Sequence, residues 1–523
     1  MDVTLAEVVE ASRTVAATRS RTAKTEALAA LFARCDPEEV GVVVSHLSGV
    51  LPQRRLGVGW RSLGSLPEPS TDASLTVAQV HAAFDRLAGA AGAGSAAARK
   101  AELAALLGRA TADEQRFLRD LITGNLRQGA LDGVVLAAVA RAYAVPDAVV
   151  RRAAMLAGTA SEVARLAARG GAPALEEVGL EVGRPVRPML AASAKTAEEA
   201  VAAAGGGALL VDGKLDGIRV QVHRRDGEVS VFTRSLDEVT ERVPEVVEAV
   251  AALPGGDLVV DGEAIVMRDD GRPAPFQVTG ARTASSADVA GLRESVPLTT
   301  YLFDVLHRDG TDLLDESALT RHEVLLDLAP HLLVPRVLTG DAVEAGRFFD
   351  QLVAAGHEGV VVKAADSPYA AGRRGSGWVK VKPTHTLDLV VLAIEWGSGR
   401  RTGSLSNIHL GARDPGTGGF VVIGKTFKGM TDEMLRWQTE RFTELAVDGT
   451  DGWVVDVRPE QVVEIAFDGL QRSSRYPGGL ALRFARVLRY RDDKTAAEAD
   501  TIETVRSLGP DARPGPSNFN ASR

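Results

Sequence analysis

The sequence predicts three successive domains of different class: an all-α block over residues 1–203, an α+β domain over 204–384 and a small β-barrel over 385–500. Three observations carry this reading. Apolar residues recur every three or four positions through the first block. Near Gly205 they change to alternation and short apolar runs, and after Pro383 to short strands parted by glycine-rich turns. A chain of 523 residues suits three domains of roughly 100–200 residues each.

In the first block the helical period runs through 5–34, 76–87, 98–123 and 134–144. Thr76 followed by Gln79 has the pattern of a capping box at a helix start. Loops are expected at 66–74, which holds two prolines, and at 88–94, made only of Ala and Gly. In the second domain strands are expected at 208–211, 218–223, 229–232, 258–267, 299–306, 359–364 and 378–382, with helices at 243–252 and 342–355. Asp226-Gly227 supplies a hairpin turn. The third domain reads as strands at 387–394, 410–413, 420–424, 454–457 and 462–467. The tail, 501–523, is poor in apolar residues, rich in Gly and Pro, and expected to be flexible. No repeat of fixed period is present.

Composition bounds the function. Apolar residues make 45% and charged residues 25%, the balance of a globular chain with a sizeable core. No apolar run reaches the ~18 residues a membrane span needs, and the first residues lack the pattern of a signal peptide. One cysteine, Cys35, excludes an internal disulfide framework and a four-thiolate zinc site, so a reducing cytoplasm is expected. The net charge of −9 argues weakly against a polyanionic partner. Two stretches run the other way: 363–382 carries five cations against one acid, and 472–494 carries seven against two.

Only 10 of the 60 basic residues are lysines. Where arginine serves as the general surface cation, a retained lysine is a candidate for work arginine cannot do, because lysine can lose its proton and attack an electrophile. Seven of the ten lie from position 214 onward. The first of these opens Lys214-Leu215-Asp216-Gly217-Ile218-Arg219, between two expected strands. Taken alone the hexapeptide reads equally as a tight turn built on Asp-Gly.

The segments that follow decide between these readings. They are Thr233-Arg234-Ser235, Asp261-Gly262-Glu263, Tyr301-Leu302-Phe303-Asp304, Glu358-Gly359-Val360-Val361-Val362-Lys363, Trp378-Val379-Lys380-Val381-Lys382 and Arg489-Tyr490-Arg491-Asp492-Asp493-Lys494. With the lysine hexapeptide, they resemble in order the motifs of the covalent nucleotidyltransferases, which include ATP-dependent DNA ligases, RNA ligases and mRNA capping enzymes. Within that group the chain is most similar to bacterial ATP-dependent DNA ligases with an N-terminal helical DNA-binding domain. Gly124-Asn125-Leu126-Arg127-Gln128-Gly129 resembles a turn of that domain, and Leu482-Arg483-Phe484 is also ligase-like. The chain departs from the family at Ser235, where ligases usually carry Asn.

The resemblance implies an α+β nucleotidyltransferase domain of the ATP-grasp-like ligase kind, then an OB-fold barrel. It implies ATP as adenylate donor, Mg²⁺, nicked duplex DNA as substrate and a monomer. Lys214 would be the nucleophile that takes AMP from ATP. An ordinary lysine, with a pKa of about 10.4, holds little free amine at neutral pH. Cations nearby, expected from Lys363 and Lys380, and partial burial would favour the amine. Glu263 would meet the ribose and share the metal, and Glu358 would hold metal. Phe303 would stack on adenine with Val361 opposite, and the backbone at Asp212 would read the adenine amino group. Arg219, Arg234 and Arg374 match positions that hold ribose or phosphate, and Lys363, Lys380 and Lys382 would meet the phosphates. Arg489, Arg491 and Lys494 would orient pyrophosphate, with the barrel swinging away to admit DNA. The turn 471–475, Lys425 and Lys428 would touch DNA phosphate.

A competing motif fails on context. Residues 419–426, Gly-Phe-Val-Val-Ile-Gly-Lys-Thr, satisfy the P-loop spelling. A P-loop needs a strand before it, a flexible loop within it and a helix after it; these apolar middle residues are themselves a strand. An NAD-dependent ligase would need a four-cysteine zinc finger, and a capping enzyme would lack the helical block. An RNA ligase shares the chemistry, and a non-catalytic DNA-binding scaffold would show damage in the lysine motif.

Overall fold

The computed structural model describes residues 3–126, 132–370 and 374–509. The helical region comprises α1 (Leu5–Ala17), α2 (Arg21–Phe32), α3 (Pro37–Leu47), α4 (Val77–Gly89), α5 (Ser95–Gly108), α6 (Ala112–Ile122), α7 (Asp132–Ala142), α8 (Asp147–Ala157) and α9 (Ala160–Glu176). The long periodic runs at 5–34 and 98–123 each split in two, because a capping residue interrupts them. Ser20 accepts from the Ala23 N–H, and Thr111 forms a capping box with Glu114. The Thr76–Gln79 box forms as the spacing predicts. Val8, Leu28, Phe32, Val43, Phe84, Leu118 and Val139 meet in one apolar core, and Cys35 is a free, buried thiol beside it.

The sheets begin earlier than the change of pattern near 204 suggests. β1 (Leu190–Ala194) and α10 (Ala197–Ala203) already belong to the second layer, because β1 pairs in parallel with a strand some 180 residues later. Its Leu-Ala-Ala-Ser-Ala sequence carries no strand signal of its own, and only that partner makes it a strand. Then come β2 (Leu209–Lys214), β3 (Ile218–Arg225), β4 (Glu228–Thr233), α11 (Pro244–Ala251), β5 (Leu258–Val266), α12 (Phe276–Ala284) and α13 (Val289–Ser295). They are followed by β6 (Leu298–Arg308), β7 (Thr311–Asp312), α14 (Ala318–Leu328), β8 (Arg336–Thr339), α15 (Ala342–Ala354), β9 (Gly359–Ala364) and β10 (Arg374–Val381). Two five-stranded sheets result, ordered β1-β10-β9-β2-β8 and β4-β3-β5-β6-β7. Val259, Leu306, Tyr369 and Trp378 pack at the seam with Met155 and Leu156 of the helical region.

The C-terminal region is a β-sheet domain: β11 (His385–Trp396), β12 (Leu405–Asp414), β13 (Gly419–Thr426), α16 (Asp432–Leu445), β14 (Val454–Asp456), β15 (Val462–Phe467), β16 (Gly469–Arg472), β17 (Leu480–Arg483) and β18 (Arg486–Tyr490). One sheet runs β13-β12-β11-β15-β18, with β14 on β11, and the β16–β17 hairpin stands apart from it. The residues that spell a P-loop are β13 itself, paired along its length with β12. The tail is not flexible from its start: α17 (Ile502–Ser507) is a helix that buries Ile502 and Val505 in this domain's core, and from 510 the tail lies outside the described residues. Among the described residues no helix is long and apolar enough to cross a membrane.

His46 on α3 is fully buried, edge-on to Phe84, and neither ring nitrogen has a hydrogen-bond partner. Burial, helped by His81, pushes its pKa down to about 3. The unfolded chain therefore takes up a proton near pH 6.5 that the folded chain refuses, so stability falls as pH drops below that value. Between pH 7 and pH 5 the loss is about 2 kcal/mol. His46→Leu is expected to remove it, read as a flatter dependence of melting temperature on pH in thermal unfolding.

Candidate active site

β2 ends at Lys214 in the first sheet and β3 begins at Ile218 in the second, so the hexapeptide is a crossing between sheets rather than a hairpin. Gly217 is required there: a Cβ would stand 2.5 Å from the Ala264 carbonyl oxygen and 2.9 Å from Glu263. β9 runs antiparallel to β2 with Gly359 opposite Lys214, which sets Glu358 beside it, its N–H donating 2.9 Å to the Lys214 carbonyl. Gly359 has φ 140° and a Cβ there would meet the Val381 oxygen at 2.1 Å, so glycine holds the close approach of β9 and β10.

Lys214 and its neighbours line an open cavity of about 2150 Å³ walled by all three regions. The Lys214 ammonium makes a close ion pair with Glu358, whose other oxygen pairs with Lys382. Lys382 also lies 3.4 Å from Asp468 of the C-terminal domain. Glu263 enters from β5 and accepts 3.1 Å from the Gly217 N–H. Burial, opposed by Lys214 and Arg219 and assisted by Glu358, pushes the Glu263 carboxyl up to about 7.

The other expected residues divide into groups. Arg219 pairs with Asp261 through both Nε and Nη2, at 3.0 and 2.5 Å, and donates 2.7 Å to the Met189 carbonyl. It still faces the cavity, its guanidinium 5.4 Å from the Phe303 ring centre. Phe303 is half-buried, edge-on to Trp378 at 5.9 Å, with Val361 packed in the same cluster. Lys380 and Arg234 line the cavity, Arg234 with an exposed side chain. Ser235, where the family has Asn, is engaged in its own turn, 3.0 Å from Thr233 Oγ1 and donating 2.6 Å to Asp237. The Arg374 side chain and residues 127–131 lie outside the described residues.

Two groups of expected residues are engaged elsewhere in this arrangement. Lys363 lines the same cavity as Lys214 but is buried with partners of its own, pairing with Asp212 at 2.7 Å and donating 2.9 Å to the Phe303 carbonyl. Arg489, Arg491 and Lys494 are not in the cavity. They pair with Glu464 at 2.7 Å, with Asp388 at 3.1 Å and with Asp388 at 2.5 Å, all within the C-terminal domain. That domain presents instead Gln471, Arg483 and Phe484, with Arg483 in an ion pair with Asp216 at 2.5 Å. Lys425 is held by Glu395 at 2.6 Å, while the Lys428 ammonium sits 5.8 Å from the Phe484 ring centre.

Sequence reading missed Arg336 of β8. It grips both oxygens of Asp212, donates 2.9 Å to the Phe303 carbonyl and lies 2.6 Å from His322 Nδ1. An arginine inside the apolar run Val334-Pro335-Arg336-Val337-Leu338 was the available signal. Tyr369, which donates 2.8 Å to Asp261, had none.

The raised Glu263 pKa has a measurable consequence. The unfolded chain ionises this group near 4.5, whereas the folded chain keeps the proton to about 7, so stability falls as pH rises between the two. Above pH 7 the penalty is on the order of 3 kcal/mol. Glu263→Gln is expected to raise the melting temperature at pH 8 and to leave it nearly unchanged at pH 5, as thermal unfolding at both values will show.

Comparison with known proteins bears on the family. Residues 188–382 match the family described as "ATP dependent DNA ligase domain", 401–494 its C-terminal region and 62–140 "DNA ligase N terminus". A "Probable DNA ligase" of Nocardioides sp. is 59% identical over 512 residues, 97% of this chain and 99% of the relative. Another of the same description, from Beutenbergia cavernae, is 61% identical over 96% of this chain and 99% of its own length. The solved structure "Pmar-Lig_PreS3" shares the fold with a TM-score of 0.62 at 18% identity, covering 92% of this chain and 99% of that one. With such identity along its whole length and the lysine, two glutamates and aromatic gathered at one cavity, the chain belongs to the ATP-dependent DNA ligase family.

Proposed function

We propose that the protein seals nicks in duplex DNA that carry a 5′-phosphate and a 3′-hydroxyl. The observation that carries this reading is Lys214 on the wall of one open cavity with Glu263, Glu358 and Phe303. The Lys214 amine attacks the α-phosphorus of ATP; a P–N bond forms, the bond to pyrophosphate breaks, and the lysine proton leaves. The 5′-phosphate of the nick then takes the adenylate from Lys214, which regains its free side chain. The 3′-hydroxyl attacks that phosphate, AMP departs and the strand is closed. Phe303 offers the adenine an aromatic surface and Asp212 holds the strand whose backbone faces the base. Arg219, Arg234, Arg374, Lys380 and Lys382 balance the charge of ribose-phosphate and polyphosphate.

The donor set suits Mg²⁺. Glu263 and Glu358 are hard oxygen donors from different sheets, and one or two carboxylates completed by substrate phosphates is the usual complement for this ion. Among the described residues no cluster of three or more ligating side chains offers a site built from protein alone. When bound, the ion supplies charge neutralisation of the triphosphate. Burial that holds Glu263 near neutrality is relieved by a cation beside it. The reading carries with it a cytoplasmic monomer, in keeping with a single buried thiol and a nucleic-acid substrate.

Incubation with ATP labelled at the α-phosphate is expected to leave label on the denatured chain, and Lys214→Ala to abolish it; label persisting in the variant removes Lys214 from the role. Nicked DNA duplexes are expected to be sealed in preference to RNA-containing ones. Sealing of the latter alone would overturn the substrate assignment.

A further inference from the structure

The cavity's cations fall into two kinds. Those deeper in it face carboxylates: Lys214 and Lys382 share Glu358, Lys363 meets Asp212, Arg219 meets Asp261 and Arg483 meets Asp216. Arg54, Arg55, Arg234 and Arg242 line it with no ion pair among the described residues, and Arg234 is the one already matched to ribose or phosphate. The acids that line it with them, Asp237 and Glu238, are turned onto the hydroxyls of Ser235 and Thr240.

Arg54 and Arg55 come from the helical region, on the loop that follows α3, and both are exposed. The loop is held in shape. Its Gln53 amide donates 2.7 Å to Asp85 and lies 3.1 Å from His81, and Leu56 is 4% exposed. Arg54 itself sits at φ 59°, a conformation that a residue with a Cβ adopts at a cost of roughly 1 kcal/mol. Two exposed guanidiniums without an ion pair are therefore carried to the cavity by a held loop, in a chain whose net charge is −9. Arg242 follows the turn at Leu236, whose side chain would stand 3.7 Å from a Cβ placed on Gly158 of the helical region. Cations without an ion pair, contributed by two regions of the chain, match an extended polyanion better than a small one.

We propose that Arg54 and Arg55, with Arg242, grip the phosphodiester backbone of the duplex beside the nick. The assignment rests on the ligase reading and adds to it which face of the helical region meets the DNA. Each phosphate contact releases counterions and steepens the salt dependence of binding by ~0.9 in log–log slope. The test uses the full chain and a fluorescently labelled nicked duplex, with affinity measured from 50 to 200 mM NaCl. Arg54→Asn combined with Arg55→Gln is expected to lower the slope by about 1.8 and weaken binding about tenfold at low salt. Asparagine is chosen at 54 because it tolerates positive φ. Lys214 adenylation from ATP should be unchanged, and Arg54→Lys with Arg55→Lys should retain the slope. An unchanged slope in the neutral double variant, with adenylation intact, overturns the clamp. Loss of adenylation in the unaltered protein would instead defeat the ligase reading. Should the double variant misfold, Arg242→Gln carries the same measurement, with an expected loss of about 0.9 and an unchanged slope as the overturning result.

Discussion

A single buried carboxylate, that of Asp212, organises the catalytic domain. It is 2% exposed and takes two cations, Arg336 across both oxygens and Lys363 at 2.7 Å. Burial alone would raise its pKa, but the two cations prevail and hold it below the ordinary value. Lys363 feels the reverse: burial draws it down against the pull of Asp212. Both cations also donate to the Phe303 carbonyl, at 2.9 Å each. Asp212, Arg336 and Lys363 belong to adjacent strands of one sheet, whereas Phe303 belongs to the other. The cluster thus ties the two sheets together directly behind the cavity. Removing Asp212 would strand the buried charges of Arg336 and Lys363, at a cost of roughly 3–5 kcal/mol.

The position of Lys214 follows from that tie. It stands two residues beyond Asp212, at the point where the chain leaves one sheet for the other. Glu358 reaches it from the first sheet and Glu263 from the second, so an amine and two carboxylates converge without sharing an element. Close approach of the backbones at Gly217 and Gly359 makes this geometry possible, and a Cβ at either position would break it. The motif glycines are steric necessities of the seam.

Those parts of the site that are local in sequence were legible. Lys214, Glu263, Phe303, Glu358 and Lys382 sit in short segments whose residue types name their chemistry, and the structure brings them to one cavity. What could not be read depends on pairing across long separations. Leu190–Ala194 is a strand only because Arg374–Val381 lies beside it. Lys363 looks like a phosphate cation until Asp212 is placed next to it. The arginines of 489–491 form a basic run in sequence, yet in the fold Glu464, Asp388 and Asp493 absorb their charge. Net charge along a stretch says little when the neutralising acids come from other strands.

The two interfaces of the catalytic domain differ in kind, and the difference bears on what parting each would cost. Toward the helical region the seam has an apolar centre, with Met155 and Leu156 packed against Val186 and Met189, beside an exposed ion pair of Arg152 with Asp315; apolar burial contributes about 25 cal/mol per Å² removed from water. Toward the C-terminal domain the contacts across the cavity are polar: Arg483 with Asp216, Lys382 with Asp468 and Gln277 with the Arg472 carbonyl. Partly exposed ion pairs contribute about 1 kcal/mol or less each, and water replaces them readily. The apolar packing thus anchors the helical region, which carries Arg54 and Arg55, against the catalytic domain that carries Lys214. Parting the C-terminal domain from the catalytic domain would therefore cost less, contact for contact, than parting the helical region from it.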